Sequence, residues 1–309
     1  MKHSALRSRV RGVSLVEVMV SLVIGLVVVG AVLVSYMASG KSGAQQAAYA
    51  EMNENAQLGL GLLSRDLLLA GYAQPTGYQM TAGAPPVPTG NLTRTHGGRP
   101  VFGCDNGFVS PSTIGAVACA TTAGAPAIEM VYEADVKNTV PTAANLPSDC
   151  LGNTLNPAAG TLSGANYFVV FNRYYVAAIG TGRSELHCAS STQDILGQPV
   201  PGQPLVDNVE AMKFWYGEAG APPDHRRVVR YVTAGNLADA SFASVIAVKV
   251  CLLIRSSEAV LDAGETANTA TNNAMLGYLD CDSAAQTSAD RHLRRAYFTT
   301  VTLRNRMAF

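Results

Sequence analysis

The chain has 309 residues, enough to bury a large core in one domain or in two smaller ones. Its 22 basic and 22 acidic side chains balance, and four of the basic ones lie within residues 1–12, which hold no acid. Without those twelve residues the chain is mildly acidic, with 18 basic against 22 acidic side chains. Only two Arg-Arg pairs interrupt that balance, so we expect no nucleic-acid binding.

The N-terminus combines a basic start with a long apolar run. Five basic or potentially basic residues come first, namely Lys2, His3, Arg7, Arg9 and Arg11. The apolar run, residues 18–37, has the length of about 20 residues that spans a bilayer, and no second stretch is as long. A basic leader before a span predicts an N-terminus inside the cell and the rest of the chain outside. Glu17 is a candidate functional residue, because a carboxylate in hydrocarbon costs about 2.5–3.5 kcal/mol.

The segment Gly12-Val13-Ser14-Leu15-Val16-Glu17 resembles the processing signal of type IV prepilins. The resemblance implies that a prepilin peptidase cuts after Gly12 and methylates the new amino terminus at Val13. It further implies that Glu17 pairs with the N-terminal amine of a neighbouring subunit during fibre assembly. The alternatives are a signal anchor that stays uncut and a secretory signal peptide cut near residues 38–40. Neither alternative accounts for the position of Glu17.

The helix is predicted to continue beyond the membrane. Apolar or small side chains recur at helical spacing and form one stripe, at Met52, Ala56, Leu60, Leu63, Leu67 and Ala70. Polar residues, Asp66 among them, are predicted to fall off that stripe, and Gly71 and Pro75 are stop signals. The sequence therefore predicts one helix of about 55–60 residues. The predicted segments are a cytoplasmic leader (1–12), a transmembrane and assembly helix (13–38), its amphipathic continuation (39–72) and a globular domain (73–309).

The globular domain is predicted to be β-rich. Residues 74–126 are rich in Gly, Pro, Thr and Ala and indicate long loops. Strand-like runs follow at residues 128–132, 167–171, 174–179, 209–216, 228–232, 245–254 and 297–303. Asn172-Arg173, between two of these runs, predicts a tight hairpin. The fold class is therefore α+β, with the long helix packed on an antiparallel sheet.

The six cysteines all lie in the predicted outside portion: Cys104, Cys119, Cys150, Cys188, Cys251 and Cys281. An even count in an oxidising compartment favours disulfides over metal ligation, and no Cys-x-x-Cys spacing occurs. Six cysteines allow fifteen pairings. Pairing of sequence neighbours closes the shortest loops and is predicted on that ground.

No motif of an enzyme or of a cofactor site is present in the sequence. Five carboxylates near the C-terminus, Asp262, Glu265, Asp280, Asp282 and Asp290, supply oxygen ligands without the spacing of a calcium loop. We interpret them as a solvated acidic loop. The expectation is a protein that is not an enzyme and has no metal or cofactor.

Three further segments resemble PilW-type minor pilins, which assist type IV pilus assembly. They are residues 64–72 (SRDLLLAGY), 209–217 (VEAMKFWYG) and 294–305 (RRAYFTTVTLRN). The resemblance implies a minor pilin that helps to start and cap the fibre. Its implied partners are other minor pilins, the major pilin, a PilY-type tip adhesin, the inner-membrane assembly platform and the prepilin peptidase. Its implied location is the inner membrane of a Gram-negative bacterium, with the globular domain in the periplasm, and then the pilus tip.

Two other functions remain open from the sequence. One is a J-type minor pseudopilin of a type II secretion system, which shares the leader and the general fold. The other is a membrane-anchored periplasmic binding domain without a role in a fibre.

Overall fold

The structure is a computed structural model of the chain. It describes residues 12–73, 78–79, 87–88, 99–111, 117–156, 161–162, 165–166, 168–180, 182–190, 201–220, 226–261, 277–287 and 290–306. The predicted leader apart from Gly12, the Pro75 stop signal and most of the 261–273 segment lie outside these ranges.

Helix α1 runs without interruption over Leu15–Leu69, which is 55 residues and confirms the predicted length. Two compact units divide within this helix, one ending at Ala47 and the other beginning at Ala48. In the first unit every described residue except Gln45 is exposed. In the second unit the helix buries seven residues, Ala48, Met52, Ala56, Gly59, Leu63, Asp66 and Leu67.

The remaining described elements are short 3₁₀ helices and antiparallel strands. The 3₁₀ helices are Ala234–Asn236, Asp239–Ser244 and Arg304–Arg306. The strands are β1 (Tyr78–Gln79), β2 (Val87–Pro88), β3 (Val101–Cys104), β4 (Ala127–Ala134), β5 (Thr161–Leu162), β6 (Ala165–Asn166), β7 (Phe168–Gly180), β8 (Arg183–Ser190), β9 (Gln203–Asp207), β10 (Val209–Ala219), β11 (Val228–Val232), β12 (Val245–Arg255), β13 (Gly277–Leu279), β14 (Ala285–Thr287) and β15 (Arg294–Thr302).

The strands form two main sheets where the sequence predicted one. The five-stranded sheet has the order β3-β4-β7-β8-β9, and the four-stranded sheet has the order β11-β10-β12-β15. The pairs β1–β2, β5–β6 and β13–β14 are two-stranded. All pairings are antiparallel, so the predicted fold class, a long helix with antiparallel β-structure, is confirmed.

The helix in the second unit packs against both main sheets. The predicted stripe enters one large core cluster, in which Met52, Leu63 and Leu67 are fully buried. Gly59 lies close to both sheets, because a Cβ placed there would be 2.8 Å from Leu252 of β12 and 3.6 Å from Leu186 of β8. A side chain at this position would hold the helix away from the sheets.

The helix ends where Gly71 adopts a positive φ of 75°, a conformation that glycine adopts at no steric cost. The side-chain amide of Asn305, after the last strand, donates to the carbonyls of Leu68, Leu69 and Ala70 at 3.0, 3.3 and 3.4 Å. Those carbonyls belong to the last turn, which has no further intrahelical donors. The last strand therefore ties the end of the helix to the four-stranded sheet.

Three disulfides connect Cys104 with Cys119, Cys150 with Cys188, and Cys251 with Cys281. This is the neighbour pairing that loop closure predicts. The first closes a loop beside β3, the second joins the segment after β4 to β8, and the third joins β12 to the β13–β14 hairpin.

The predicted hairpin at Asn172-Arg173 is wrong. Both residues lie within the continuous strand β7, where they are essentially inaccessible to solvent. Their polar side chains are tolerated there because buried carboxylates accept their hydrogen bonds. The strand β8 was not predicted, and β14 lies within a segment that the sequence predicted to be a polar loop.

Candidate functional site

The predicted processing site lies at the start of helix α1. Gly12, Val13 and Ser14 are exposed and not helical, and the helix begins at Leu15. The amide of Glu17 donates to Ser14 Oγ at 3.2 Å, and the amide of Val18 donates to the Ser14 carbonyl at 3.2 Å. Ser14 therefore caps the helix, as serine commonly does, and leaves the bond between Gly12 and Val13 outside it.

Glu17 is exposed in the first turn of the helix. Across the described part of the chain, its carboxylate has no hydrogen bond or ion pair. A carboxylate at a helix N-terminus is favoured by the helix dipole, and the unpaired N–H groups there attract negative charge. The structure thus places Gly12, Val13 and Glu17 at one end of the helix, with all three residues exposed.

The helix that follows is long and apolar enough to cross a membrane, and none of its most apolar 18-residue stretch is buried. Its large side chains, from Leu15 to Met37, are exposed to between 51% and 78%. An exposed apolar surface of this size requires lipid or other protein around it.

A second site is centred on Asp66, near the other end of the helix. Its side chain is buried, and three donors converge on it. The hydroxyl of Tyr132 in β4 donates to Oδ1 at 3.2 Å. The side-chain amide of Asn172 and the hydroxyl of Tyr174, both in β7, donate to Oδ2 at 2.7 and 2.8 Å. One carboxyl group thereby joins the helix to two neighbouring strands.

Burial raises the pKa of Asp66, and the hydrogen bonds from Tyr174, Asn172 and Tyr132 oppose that shift without cancelling it. Burial, with the nearby carboxyl, also raises the pKa of both tyrosines, so their hydroxyls keep their protons and remain donors. The arrangement acts as a structural clamp, because the buried carboxyl accepts three hydrogen bonds from its own chain.

A cavity of about 190 Å³ adjoins this clamp. It is lined by Leu62 and Arg65 of the helix, by residues 139–152 of the loop after β4, and by the clamp residues themselves. The amide of Cys150 donates to Asn172 Oδ1 at 3.3 Å. The Cys150–Cys188 disulfide therefore holds the loop that covers the clamp.

The prediction that Asp66 falls off the buried stripe is wrong. Asp66 is three residues after Leu63 and four before Ala70, so it lies on the same face of the helix as both. That spacing was the signal in the sequence that could have identified it. Its partners in β4 and β7 could not be identified, because they lie 66 to 108 residues further along the chain.

A buried ion pair lies on the other face of β7. Arg173 donates from Nε and Nη2 to Glu129 Oε2 at 3.1 and 2.5 Å, and its guanidinium stacks 4.1 Å from the Phe108 ring centre. Burial raises the pKa of Glu129 despite the neighbouring Arg173. Both residues are buried with their partners, which indicates a structural role.

The predicted acidic loop is only partly described, since Asp262 and Glu265 lie outside the described residues. Asp280 accepts hydrogen bonds from the backbone of Asp282 and Ala284 and from Gln286, and these bonds, chiefly that from Gln286, lower its pKa. Asp282 pairs with Lys213 at 2.5 Å, and Asp290 pairs with Arg294 at 2.6 Å. Within the described ranges, no group of three His, Cys, Asp or Glu side chains is arranged to hold a metal ion.

Comparison with known proteins identifies the class. Residues 7–33 match the family model of the prokaryotic N-terminal methylation motif, and residues 173–305 match that of type IV pilus-assembly protein W. A prepilin-type signal on a long helix that packs against antiparallel sheets defines a type IV pilin. Within this class, residues 173–305 are similar to the PilW family.

Among solved structures, the chain is similar to a type IV-like pilin, TTHA1219, from Thermus thermophilus. The two are 14% identical, and the match covers 82% of this chain and 98% of the other with a TM-score of 0.37. No curated protein matches the chain.

Proposed function

We propose that the protein is a minor pilin that helps to initiate type IV pilus assembly and lies at or near the pilus tip. The observation that carries this proposal is the exposed N-terminal site: Gly12 and Val13 outside the helix, Glu17 one turn inside it, and a fully exposed apolar helix behind them. The match to the PilW family over residues 173–305 supports a minor pilin rather than the bulk subunit of a fibre.

Processing comes first in this proposal. A prepilin peptidase cuts the bond after Gly12 and methylates the amine of Val13. Because Ser14 caps the helix, the bond lies in a non-helical, exposed segment, and the apolar helix stays in the mature protein. Before assembly that helix anchors the protein in the inner membrane with the globular domain in the periplasm.

Glu17 then makes assembly into a fibre more favourable than the insertion of a single subunit in the lipid bilayer. A lone carboxylate in hydrocarbon is unfavourable, and so is a lone amine. When the amine of one subunit meets the Glu17 carboxylate of another in a helix bundle, each offsets part of the desolvation cost of the other. The partners in this step are the major pilin and other minor pilins, and a PilY-type adhesin and the assembly platform complete the set.

The first test is the intact mass of the protein extracted from membranes under non-reducing conditions. We expect a chain that begins at Val13, with or without one methyl group, and that has six hydrogens fewer than its reduced form. Replacing Gly12 by Leu should block processing, because a side chain crowds the scissile bond, and the leader should then be retained. A mature chain that begins near residue 39, or at Met1, contradicts the proposal.

The second test separates processing from assembly. The Glu17→Gln variant should be cut and membrane-bound but absent from sheared pili, as measured by immunoblot of the pilus fraction. Glu54→Gln is the matched control, since Glu54 is an exposed acid on the same helix outside the predicted span. Normal recovery of Glu17→Gln in pili would remove Glu17 from the mechanism.

Deletion of the gene distinguishes the three candidate functions. We expect loss of surface pili and of twitching. Loss of exoprotein release with intact pili would instead indicate a type II secretion pseudopilin, and loss of neither would indicate an anchored binding domain.

A further inference from the structure

The outer face of the four-stranded sheet has an unusual composition. Side chains alternate along the strands, so the residues between the buried ones of β10, β12 and β15 share the face turned away from the core. At the centre of this face lie Trp215 of β10, Lys249 of β12 and Phe298 of β15. We call these three residues, with Tyr231 of β11 and Thr300 of β15, the aromatic face.

The strand register places these side chains side by side. Trp215 is paired with Lys249, Lys249 with Thr300, and Phe298 with Cys251, the next outward residue of β12. The rings of Trp215 and Phe298 are 6.5 Å apart between centres and inclined by 32°. Tyr231 lies over Gly217, where the absence of a side chain makes room for its ring. Three aromatic rings, on β11, β10 and β15, therefore share this face of the sheet.

The face is open to solvent. Phe298 is 44% exposed and Tyr231 is 45% exposed, which is high for aromatic side chains on a sheet. Trp215 is half-buried because it packs against the small cluster around the Cys251–Cys281 disulfide. That disulfide holds the β13–β14 hairpin beside the face, where Tyr278 and Trp215 pack against the same cluster.

Two lysines lie over the rings. The ammonium of Lys249 is 4.8 Å from the ring centre of Trp215 and 5.1 Å from that of Phe298. Across the described ranges Lys249 has no carboxylate partner, whereas Lys213, 5.5 Å from the ring centre of Trp215, pairs with Asp282. A ligand with an acidic group beside an apolar ring would complement this centre in both charge and shape.

We propose that the aromatic face binds an acidic polysaccharide, a chain of uronic-acid units. The apolar face of each sugar ring stacks on Trp215, Phe298 or Tyr231, and a carboxylate of the chain pairs with Lys249. The hydroxyl of Thr300, exposed beside Lys249, is placed to hydrogen-bond the sugar hydroxyls.

A protein partner fits this face less well. Protein interfaces are depleted in lysine at their centre, and threonine is rare among their strongest contacts, yet both residues adjoin the rings here. Single-stranded nucleic acid carries one charge per unit, as a polyuronate does, so the number of cations does not separate these two ligands. A titration with a deoxythymidine decamer separates them.

The test uses tryptophan fluorescence, because Trp215 is the only tryptophan of the chain. The full-length protein in detergent micelles is titrated with a uronic-acid hexamer prepared from alginate. We expect a saturable change in emission, with half-saturation at about 1 mM or below. Because the carboxylate pairs with a partly exposed cation, the affinity should fall when sodium chloride is raised from 50 to 500 mM.

Three variants locate the binding. Lys249→Gln should weaken binding about three- to tenfold, and Phe298→Ser should weaken it at least as much while leaving Trp215 in place. Lys137→Gln, which changes an exposed lysine in the loop after β4, is the matched control and should bind like the wild type. Unchanged circular dichroism confirms that each variant is folded.

Several outcomes would overturn the proposal. They are equal affinity for neutral maltohexaose, a response to deoxythymidine decamer without a response to the uronic-acid hexamer, and unchanged binding in Lys249→Gln and Phe298→Ser. No saturable change with the hexamer would overturn it as well. The proposal does not depend on the role in pilus assembly, because each of these measurements is made on the isolated protein.

Discussion

The two halves of helix α1 carry acidic side chains in opposite surroundings. In the first unit Glu17 is exposed, and its carboxylate has no partner among the described residues. In the second unit Asp66 is buried and accepts three hydrogen bonds from its own chain. Both residues lie on one continuous 55-residue helix, so secondary structure does not cause the difference.

The difference shows where the partners of each half are to be found. The second half finds its partners within the chain, because the two sheets cover its stripe and bind Asp66, and Asn305 donates to its C-terminal carbonyls. The first half has no such partners among the described residues and exposes apolar side chains on all sides. Its complement is lipid or other subunits, and changes in that half should affect assembly and leave folding intact.

The largest effect on folding is expected at Asp66. In Asp66→Leu the hydroxyls of Tyr132 and Tyr174 and the amide of Asn172 lose their buried acceptor. Each unsatisfied group costs about 1–3 kcal/mol, and partial rearrangement brings the expected loss to about 3–5 kcal/mol. Thermal or urea unfolding of the full-length protein in detergent, followed by circular dichroism, measures the loss.

Two companions sharpen this test. Asp66→Asn keeps one acceptor oxygen and should lose less, about 1–2 kcal/mol. Glu54→Leu changes an exposed acid of the same helix and should stay within about 0.5 kcal/mol of the wild type. Equal stability of Asp66→Leu and Glu54→Leu would show that Asp66 is not a clamp.

The next effect concerns the close approach at Gly59. In Gly59→Leu the new side chain meets Leu252 and Leu186, and overpacking of this kind costs about 1–3 kcal/mol. At Gly61, two residues on, a Cβ would have no other atom within 4 Å, so Gly61→Leu should stabilise the helix by up to about 1 kcal/mol. The unfolding midpoints of the two variants should therefore move in opposite directions, and a shared direction would contradict the packing described here.

The first half of the helix could be predicted almost completely from the sequence. Its signals are local: the motif from Gly12 to Glu17 is contiguous, and the apolar run needs only its length to be recognised. The six cysteines also pair as loop closure predicts, since the shortest loops were available. The family match covers these N-terminal signals and the C-terminal strands.

The polar interior of the second unit could not be predicted, because it depends on distant partners. Asn172 and Arg173 are a turn sequence by composition, but Asp66 and Glu129, 106 and 44 residues away, stabilise them inside a strand. Aspartate is usually exposed, but Asp66 is buried in the core because distant residues donate hydrogen bonds to it. The aromatic face was missed for the same reason, since it depends on the register of four separate strands.

The pH dependence of stability should also reveal the burial of Asp66 in the second half of the helix. Burial raises the folded-state pKa of Asp66 above its ordinary value of 3.8, which the unfolded chain retains. The folded protein therefore holds a proton that the unfolded chain has released. The resulting stability is present below pH 3.8 and is lost as the pH rises through the folded-state pKa.

The slope in that window is at most about 1.4 kcal/mol per pH unit for one group. Asp66→Asn removes this titration but leaves that of Glu129. As the pH rises from about 4, we therefore expect the wild type to lose stability relative to Asp66→Asn. Urea unfolding at intervals of half a pH unit measures it. A difference that is constant from about pH 4 to 8 would mean that Asp66 titrates normally.

The smallest effect is expected at the end of the helix, where Asn305 caps three carbonyl groups. Asn305→Ala removes the shared donor and should cost about 0.5–1.5 kcal/mol, the net value of one such hydrogen bond. Asn305→Asp has nearly the same shape but places acceptors against acceptors and a negative charge at the negative end of the helix dipole, so it should cost more than Ala. Arg304→Ala, at the exposed neighbouring position, is the control for disturbance of the last turn.

Hydrogen exchange should accelerate in residues 66–70 for both Asn305 variants and remain unchanged near Met52, since only the capped turn opens. Equal protection of residues 66–70 in the two Asn305 variants and in Arg304→Ala would contradict this role. Water would then satisfy the carbonyls of residues 68–70 as well as Asn305 does, and the segment after the last strand would not hold the end of the helix.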